Sequence, residues 1–270
     1  AQEFGGTSGV FVFTDQGGDR IERAAIGRRW GETQREREDQ GYKRVFVMVP
    51  NYQAGRDAVA GFKSRFKGEV VDEVYVPLTQ LDFAAELAKI AAAKPDAIFT
   101  FMPGGLGVNL VRQYRQAGLA NIPFLSTFTV DEAVLPAQQD AAVGFFSAAS
   151  WAPNMDNAAN RRFVTDFEST FNYVPASYAA QAYDGAMLLD SAIRRAGGRL
   201  ADKDALRAGL RAADFASVRG NFKFGVNHYP VQDFWLLKVA KRADGKFQTE
   251  TVRKVLENNV DPWAAECRMR

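Results

Sequence analysis

Short apolar runs alternate with longer amphipathic stretches between residues 41 and 150. The runs are rich in β-branched and aromatic residues, which is typical of buried strands, whereas the stretches between them repeat apolar residues at helical spacing. The predicted strands are Arg44–Val49, Glu69–Leu78, Asp96–Phe101, Ile122–Thr127 and Ala142–Ser150, and the predicted helices are Arg56–Phe66, Phe83–Lys94 and Val108–Gly118. Strands that alternate with helices need crossover connections, so the pattern predicts an α/β fold with a doubly wound, mostly parallel sheet.

The pattern changes after Trp151. Three helical stretches follow one another without strands between them, over Asn157–Phe171, Tyr178–Gly198 and Asp202–Ala213. The segment Gly220–Lys241 then predicts two strands around the turn "GVNHYP". Helices without intervening strands must cover a sheet that is formed elsewhere in the chain.

Charge and composition narrow the class of function. Lys and Arg number 34 and Asp and Glu 32, and the densest charge run, Arg28–Asp39, alternates in sign. This balance predicts a solvated helix face and no nucleic-acid partner. No apolar run approaches the length that crosses a bilayer, and no signal peptide is recognisable, although a mature secreted protein would have lost one. The single Cys267 predicts neither an internal disulfide nor a metal site.

The turn "FMPGGLGVNL" has the order strand, glycine-rich turn, helix, which many nucleotide sites share. A phosphate loop needs Lys followed by Ser or Thr at the helix start, and the spacing of Gly104, Gly105 and Gly107 does not fit a dinucleotide fingerprint. We therefore predict no nucleotide cofactor. Two interpretations stay open: a turn that needs a positive φ, and a helix start whose free N–H groups favour an anion.

Catalytic groups are scarce. His228 is the only histidine, and it falls in a predicted turn beside Pro230. Both Ser-His-Asp and Cys-His mechanisms would need that residue. Asp131 and Glu132 are interpreted as helix-start residues, where negative charge suits the helix dipole. The sequence thus predicts a protein that is not an enzyme and that holds no metal or cofactor.

Aromatic residues are more informative. Tyr52, Phe101, Phe128 and Trp151 all stand at carboxyl ends of predicted strands. Each alone is compatible with core packing. Because ligands bind at this edge of open α/β sheets, the four together favour a pocket with flat, apolar walls.

Four stretches also carry a family resemblance. "GYKRVFVMVPNYQAGRDAVAGFK", "LTQLDFAAELAKIAAAKPDAIFTFMPGG", "YAAQAYDGAMLLDSA" and "VRGNFKFGVNHYPVQDFWLLKV" resemble the type I periplasmic solute-binding proteins, in particular the leucine/isoleucine/valine-binding family of ABC transporters. The most similar subgroup binds aromatic acids as well as amino acids. The resemblance implies a two-lobed α/β fold that closes on a small carboxylate, a periplasmic location, and a membrane permease as partner.

The resemblance also implies a binding site. The tyrosine that borders the cleft in the family matches Tyr52, and the two other cleft turns of this lobe match Phe101–Gly105 and Ser126–Thr129. With Trp151 added from the aromatic pattern, the predicted ligand-binding residues are Tyr52, Phe101, Pro103, Gly104, Ser126, Thr127, Phe128 and Trp151. Amino-acid binders typically offer an acidic residue to the ligand ammonium where this chain has Phe128. We therefore expect an aromatic acid first and a branched-chain amino acid next.

The chain departs from the family at its start, because the βα units that build most of the first lobe have no counterpart. We expect residues 1–40 to hold a hinge strand and a first-lobe remnant, residues 41–155 and 219–270 the second lobe, and residues 156–218 helices of the first lobe. Met187, Leu188 and Ile193 would then be exposed and favour self-association. A fragment, a truncated gene product, or a chain that folds with a partner would each explain the departure.

Three other functions stay open at this point. The chain could be a ligand-sensing domain of the same fold, a small-molecule enzyme on a doubly wound sheet, or a remnant that binds nothing.

Overall fold

The computed structural model describes residues 42–261, together with Ala264 and Cys267. The hinge strand and first-lobe remnant predicted for residues 1–40, and the charge run Arg28–Asp39, lie outside the described residues. The strands form one sheet in the order β2-β1-β3-β4-β5-β7-β6, with β8 paired to the remaining edge of β7. The strands are β1 Arg44–Pro50, β2 Glu69–Val76, β3 Ala97–Thr100, β4 Phe124–Ser126, β5 Phe146–Ala149, β6 Lys223–Phe224, β7 Pro230–Lys241 and β8 Phe247–Asn259.

The first five strands are parallel, as the alternating pattern predicts. The helices are α1 Gln53–Arg65, α2 Ala84–Ala93, α3 Gly105–Gln116, α4 Leu135–Gln138, α5 Ala158–Phe171, α6 Ser177–Arg195 and α7 Lys203–Ala212. Strand β1 is buried on both faces: Val45, Val47 and Val49 pack on the α1 side, and Phe46 and Met48 pack on the side of α2 and α3. This burial confirms a doubly wound sheet.

Strand β8 is a feature that the sequence interpretation missed. It pairs antiparallel with β7 from Gln232 to Lys241, and the tight turn between the two strands closes through Arg242 N–H donating to the Lys246 carbonyl at 2.8 Å. The signal was present as Asp244-Gly245, a dipeptide that is typical of hairpin turns. Hairpin β7–β8 extends the parallel sheet with an antiparallel edge.

Helices α5 and α6 form an apolar cluster of their own around Trp151 and Phe163, separate from the packing on the two faces of β1, and β7 contributes Leu237 to it. The expectation that Leu188 is exposed is wrong, since only 2% of it is accessible. Met187 and Ile193 are partly buried. Self-association through these helices stays a prediction. No helix among residues 42–261 is both long and apolar enough to span a membrane.

Close packing of α7 on α6 explains the burial. Gly209 on α7 faces Ala192 on α6, and a Cβ at Gly209 would lie 2.8 Å from the Ala192 Cα. The two helices therefore cover much of each other.

Two glycines of the glycine-rich turn are required for different structural reasons. Gly104 has φ +62°, which a residue with a side chain rarely adopts, and a Cβ there would meet open space. Gly107 lies in the first turn of α3, where a Cβ would fall 2.2 Å from the Met102 carbonyl oxygen and 3.0 Å from that of Thr129. Positive φ was one of the two open interpretations and is correct for Gly104. Close approach of two backbones explains Gly107.

We expect Gly107→Ala to lower the free energy of unfolding by about 1–3 kcal/mol, because the new methyl group meets backbone and α3 must move away. Urea denaturation followed by circular dichroism measures the change. Gly105→Ala is the matched control: no atom lies within 4 Å of its Cβ position, so stability should stay the same or rise by up to about 1 kcal/mol. Equal losses in the two variants would contradict this account of the turn.

Candidate functional site

Four aromatic rings form a row at the carboxyl edge of the parallel strands. Tyr52 stacks on Phe101 with ring centroids 6.3 Å apart, and Phe101 meets Phe128 edge-on at 6.4 Å. Phe128 in turn lies nearly parallel to Tyr178, with a centroid distance of 6.3 Å and an interplanar angle of 18°. We call these residues the ring row. Three of its members are predicted site residues, which the structure brings together.

The strand register brings the first three rings together. Tyr52, Phe101 and Phe128 follow β1, β3 and β4, whose parallel pairing ends all three strands at the same edge. A hydrogen bond joins the turn that follows Phe101 to the turn that carries Phe128, because the Met102 N–H donates to Thr129 Oγ1 at 2.8 Å. The Thr127 N–H also donates to the Thr100 carbonyl at 3.2 Å.

Phe128 has an unusual backbone, with φ +51°. A bulky residue in this region carries strain of about 1–3 kcal/mol, which must be offset by its surroundings. Here the hydrogen bonds between the two turns hold the backbone of Phe128, and its ring lies partly buried between Phe101 and Tyr178. Such strain is typical of functional sites.

Tyr178 is the member that sequence reasoning missed. It lies in the first turn of α6, fifty residues after Phe128 along the chain, and it is 49% exposed. The stretch "YAAQAYDGAMLLDSA" was predicted to be helical and carried part of the family resemblance, but no residue in it was assigned to the binding site. Its signal was a tyrosine at the start of a helix, on the side that faces solvent.

The remaining predicted residues are divided between this edge and the core. Pro103 and Gly104 form the turn before α3, and Gly104 is exposed. Ser126 is buried and donates its hydroxyl to the Phe146 carbonyl at 2.9 Å. Thr127 is fully buried, and its hydroxyl has no hydrogen-bond partner among the described residues.

Trp151 lies away from the ring row, in the apolar cluster that α5 and α6 form. It is 2% exposed and packs against Phe163 with a centroid distance of 6.1 Å. Its indole N–H donates to Asn160 Oδ1 at 2.7 Å. The structure therefore gives Trp151 a core position beside α5.

A buried carboxyl group follows the Phe128 turn. Glu132 was interpreted as a helix-start residue, but α4 begins three residues later and Glu132 Oε1 instead accepts from Thr249 N–H and Thr249 Oγ1, each at 2.7 Å. The helix-start interpretation is wrong for Glu132. Asp131 does accept from the nearby Ala133 N–H at 3.1 Å. Glu132 thus joins the loop that carries Phe128 to strand β8.

Burial changes the acidity of this group. Desolvation, together with the neighbouring Asp131 carboxyl, raises the pKa of Glu132 from 4.5 to about 7, and the hydrogen bonds from Thr249 oppose this effect. A raised pKa means that the fold favours the protonated carboxyl. Its stabilisation is complete below about pH 4.5 and is lost as the pH rises through about 7.

A family model for periplasmic binding proteins matches residues 30–246. The chain belongs to this family. Membership confirms the resemblance carried by the four sequence stretches, and with it the predicted fold class and periplasmic location.

Relatives and solved structures agree with this assignment. A Leu/Ile/Val-binding protein homolog 6 from Brucella melitensis is 28% identical over 234 residues, which cover 83% of this chain and 60% of that protein. A solute binding protein of an ABC transporter from R. palustris, solved in complex with benzoate, has a TM-score of 0.81 and 32% identity, covering 91% of this chain and 66% of that one. Another from Rhodopseudomonas palustris BisB5, in complex with 3,4-dihydroxybenzoic acid, has a TM-score of 0.77 and 31% identity, over 90% and 66%. This chain therefore spans less than two thirds of these proteins.

We expect Glu132→Gln to stabilise the protein at pH 8 by about 1–3 kcal/mol, because the amide keeps an acceptor for Thr249 but places no charge in the interior. The gain should shrink as the pH falls and approach zero below about pH 4.5, where Glu132 becomes protonated in both the folded and unfolded states. Urea unfolding at several pH values measures both effects. Glu250→Gln, at an exposed carboxyl on the same strand as Thr249, is the control and should show no such pH dependence. A gain that is equal at pH 4.5 and pH 8 would rule out the buried charge as its cause.

Proposed function

We propose that this chain is the solute-binding part of an ABC importer and that it binds a small carboxylic acid, with an aromatic acid favoured over a branched-chain amino acid. The ring row is the observation that carries the proposal. Tyr52, Phe101 and Phe128 give the sheet edge an apolar wall, and Tyr178 adds a ring from a different part of the chain. Flat apolar walls that converge from two elements suit a planar ring.

The charges at this edge support an acid that has no ammonium group. The Phe128 ring occupies the turn where an amino-acid binder would offer a carboxylate, and a buried ammonium without such a partner is costly to desolvate. Helix α3 begins beside this turn, with glycine at its first position and no acidic residue in its first turn. Its free N–H groups favour a carboxylate.

Relatives point in the same direction. The two R. palustris proteins described above were solved with benzoate and 3,4-dihydroxybenzoic acid, and their aligned parts, which cover 91% and 90% of this chain, are 32% and 31% identical to it. A further R. palustris protein holds 4-hydroxybenzoate at 26% identity. We extend this class of ligand to the present chain.

The proposal includes the arrangement of lobes. We assign residues 41–155 and 219–270 to one lobe and residues 156–218 to helices of the other, so that Phe128 and Tyr178 face each other across the cleft. The bound protein would deliver its solute to a membrane permease and leave it chemically unchanged. A role without catalysis agrees with the position of His228 in the turn before β7.

A thermal-shift panel tests the class of ligand. We expect benzoate, 4-hydroxybenzoate or 3,4-dihydroxybenzoate at a hundredfold excess over its Kd to stabilise the chain by about 2–3 kcal/mol, which raises Tm by several degrees. Leucine and isoleucine should give smaller shifts. Stabilisation by leucine and isoleucine with no response to the aromatic acids would show that the proposed ligand class is wrong.

The contribution of Phe128 is tested by calorimetric titration. Phe128→Ala should weaken binding of the preferred benzoate by about tenfold, because it removes the ring between Phe101 and Tyr178. Phe171→Ala is the matched control: this ring is 54% exposed and packs with Phe167 and Tyr173, outside the ring row. Equal affinities for Phe128→Ala and the unchanged protein would remove the ring row from the binding site.

A further inference from the structure

A buried ion pair connects helix α6 to the segment that leads back to the sheet. Asp184 and Arg219 have side chains that are only 2% and 9% exposed, and Arg219 Nε lies 2.9 Å from Asp184 Oδ2. The same carboxylate accepts from Ser217 Oγ at 2.6 Å and from the Val218 N–H at 2.9 Å. One side chain of α6 thus holds three consecutive residues of the returning chain.

The network continues into the sheet. Arg219 Nη1 donates to Gln232 Oε1 on β7 at 2.8 Å, and the guanidinium lies over the Phe222 ring at 4.6 Å. Strand β7 pairs with β5 and β8, so Gln232 belongs to the main sheet. Asp184, Arg219 and Gln232 therefore form a continuous polar connection, which we call the joint, between α6 and the sheet.

The joint lies on the helix that carries Tyr178. Six residues separate Tyr178 from Asp184, a distance of about 9 Å along a rigid helix. Because Tyr178 meets Phe128, whose turn belongs to the sheet, the position of α6 on the sheet sets the spacing of these two rings. A fixed guanidinium fork with acceptors on both sides is well suited to hold such a spacing.

We propose that Asp184, Arg219 and Gln232 are positioning residues, which hold α6 at the angle that places Tyr178 opposite Phe128 and so set the affinity for an aromatic acid. The effect on affinity rests on the proposed function, whereas the effect on the position of α6 does not. Buried ion pairs contribute little net stability compared with apolar packing, so a role in fixing geometry agrees with their energetics.

The first measurement needs no ligand. Spin labels at Lys89 on α2 and Arg195 on α6, both exposed, in a Cys267→Ser background report the distance between the sheet and α6 by pulsed electron resonance. Gln232→Leu removes the acceptor for Arg219 and should broaden or shift the distance distribution. Gln232→Glu keeps an acceptor oxygen and should restore it. An unchanged distribution in Gln232→Leu would overturn the proposal, whatever the chain binds.

The second measurement is a double-mutant cycle with 4-hydroxybenzoate as the probe. Gln232→Leu should weaken binding about fivefold in the unchanged chain and have little effect in a Tyr178→Ala background, because the joint acts through Tyr178. Equal weakening in both backgrounds would overturn the positioning role. Asp190→Asn is the control, since the Asp190–Arg194 pair on the same helix is largely exposed. If no benzoate binds any variant, the proposed function fails, while the distance measurement still decides whether the joint holds α6.

Discussion

The parallel register of β1, β3 and β4 is the constraint on which the rest of the site depends. Met48 pairs with Thr100 and Thr100 with Ser126, so the three strands end within a few residues of one another. Side-chain bonds reinforce this register, because Thr100 Oγ1 donates to the Met48 carbonyl at 2.7 Å. A shift of one residue would turn every buried side chain to the opposite face and separate the rings of Tyr52, Phe101 and Phe128.

Sequence reasoning was most successful where local pattern and fold agree. The parallel strands and the helices between them followed from periodicity, and the third helix after Trp151 begins beside Asp202, which accepts from the Ala205 N–H at 3.0 Å. It was least successful where distant residues meet. Tyr178 reaches Phe128, and Glu132 reaches Thr249 across 117 residues, through contacts that no local pattern encodes. Strand β8 was missed for another reason, because the Asp244-Gly245 turn before it is a local signal from which the hairpin could have been predicted.

Rigidity at this sheet edge has an energetic cost that the surrounding packing offsets. Phe128 adopts a left-handed backbone, and Thr127 buries a hydroxyl that has no partner among the described residues. Features of this kind are each worth about 1–3 kcal/mol. The contact between α3 and the neighbouring turns offsets them, since Gly107 allows the helix to approach Met102 and Thr129 closely. The packing of α3 thus offsets the energetic cost of holding the Phe128 ring in a fixed position.

The buried carboxyl groups of Asp184 and Glu132 have opposite environments, and this difference suggests a division of roles. Asp184 is paired with a guanidinium and receives three hydrogen bonds, so its charge is compensated and its geometry is fixed. Glu132 is desolvated beside the Asp131 carboxyl, and its hydrogen bonds from Thr249 oppose this effect only in part, so burial favours its neutral form. The paired charge of Asp184 joins α6 to the segment that leads back to the sheet, whereas Glu132 joins the Phe128 loop to β8 at a cost in desolvation whenever it is ionised. The contribution of Glu132 to the stability of the Phe128 loop is therefore lost as the pH rises through about 7, whereas the contact of α6 with the sheet rests on a paired charge.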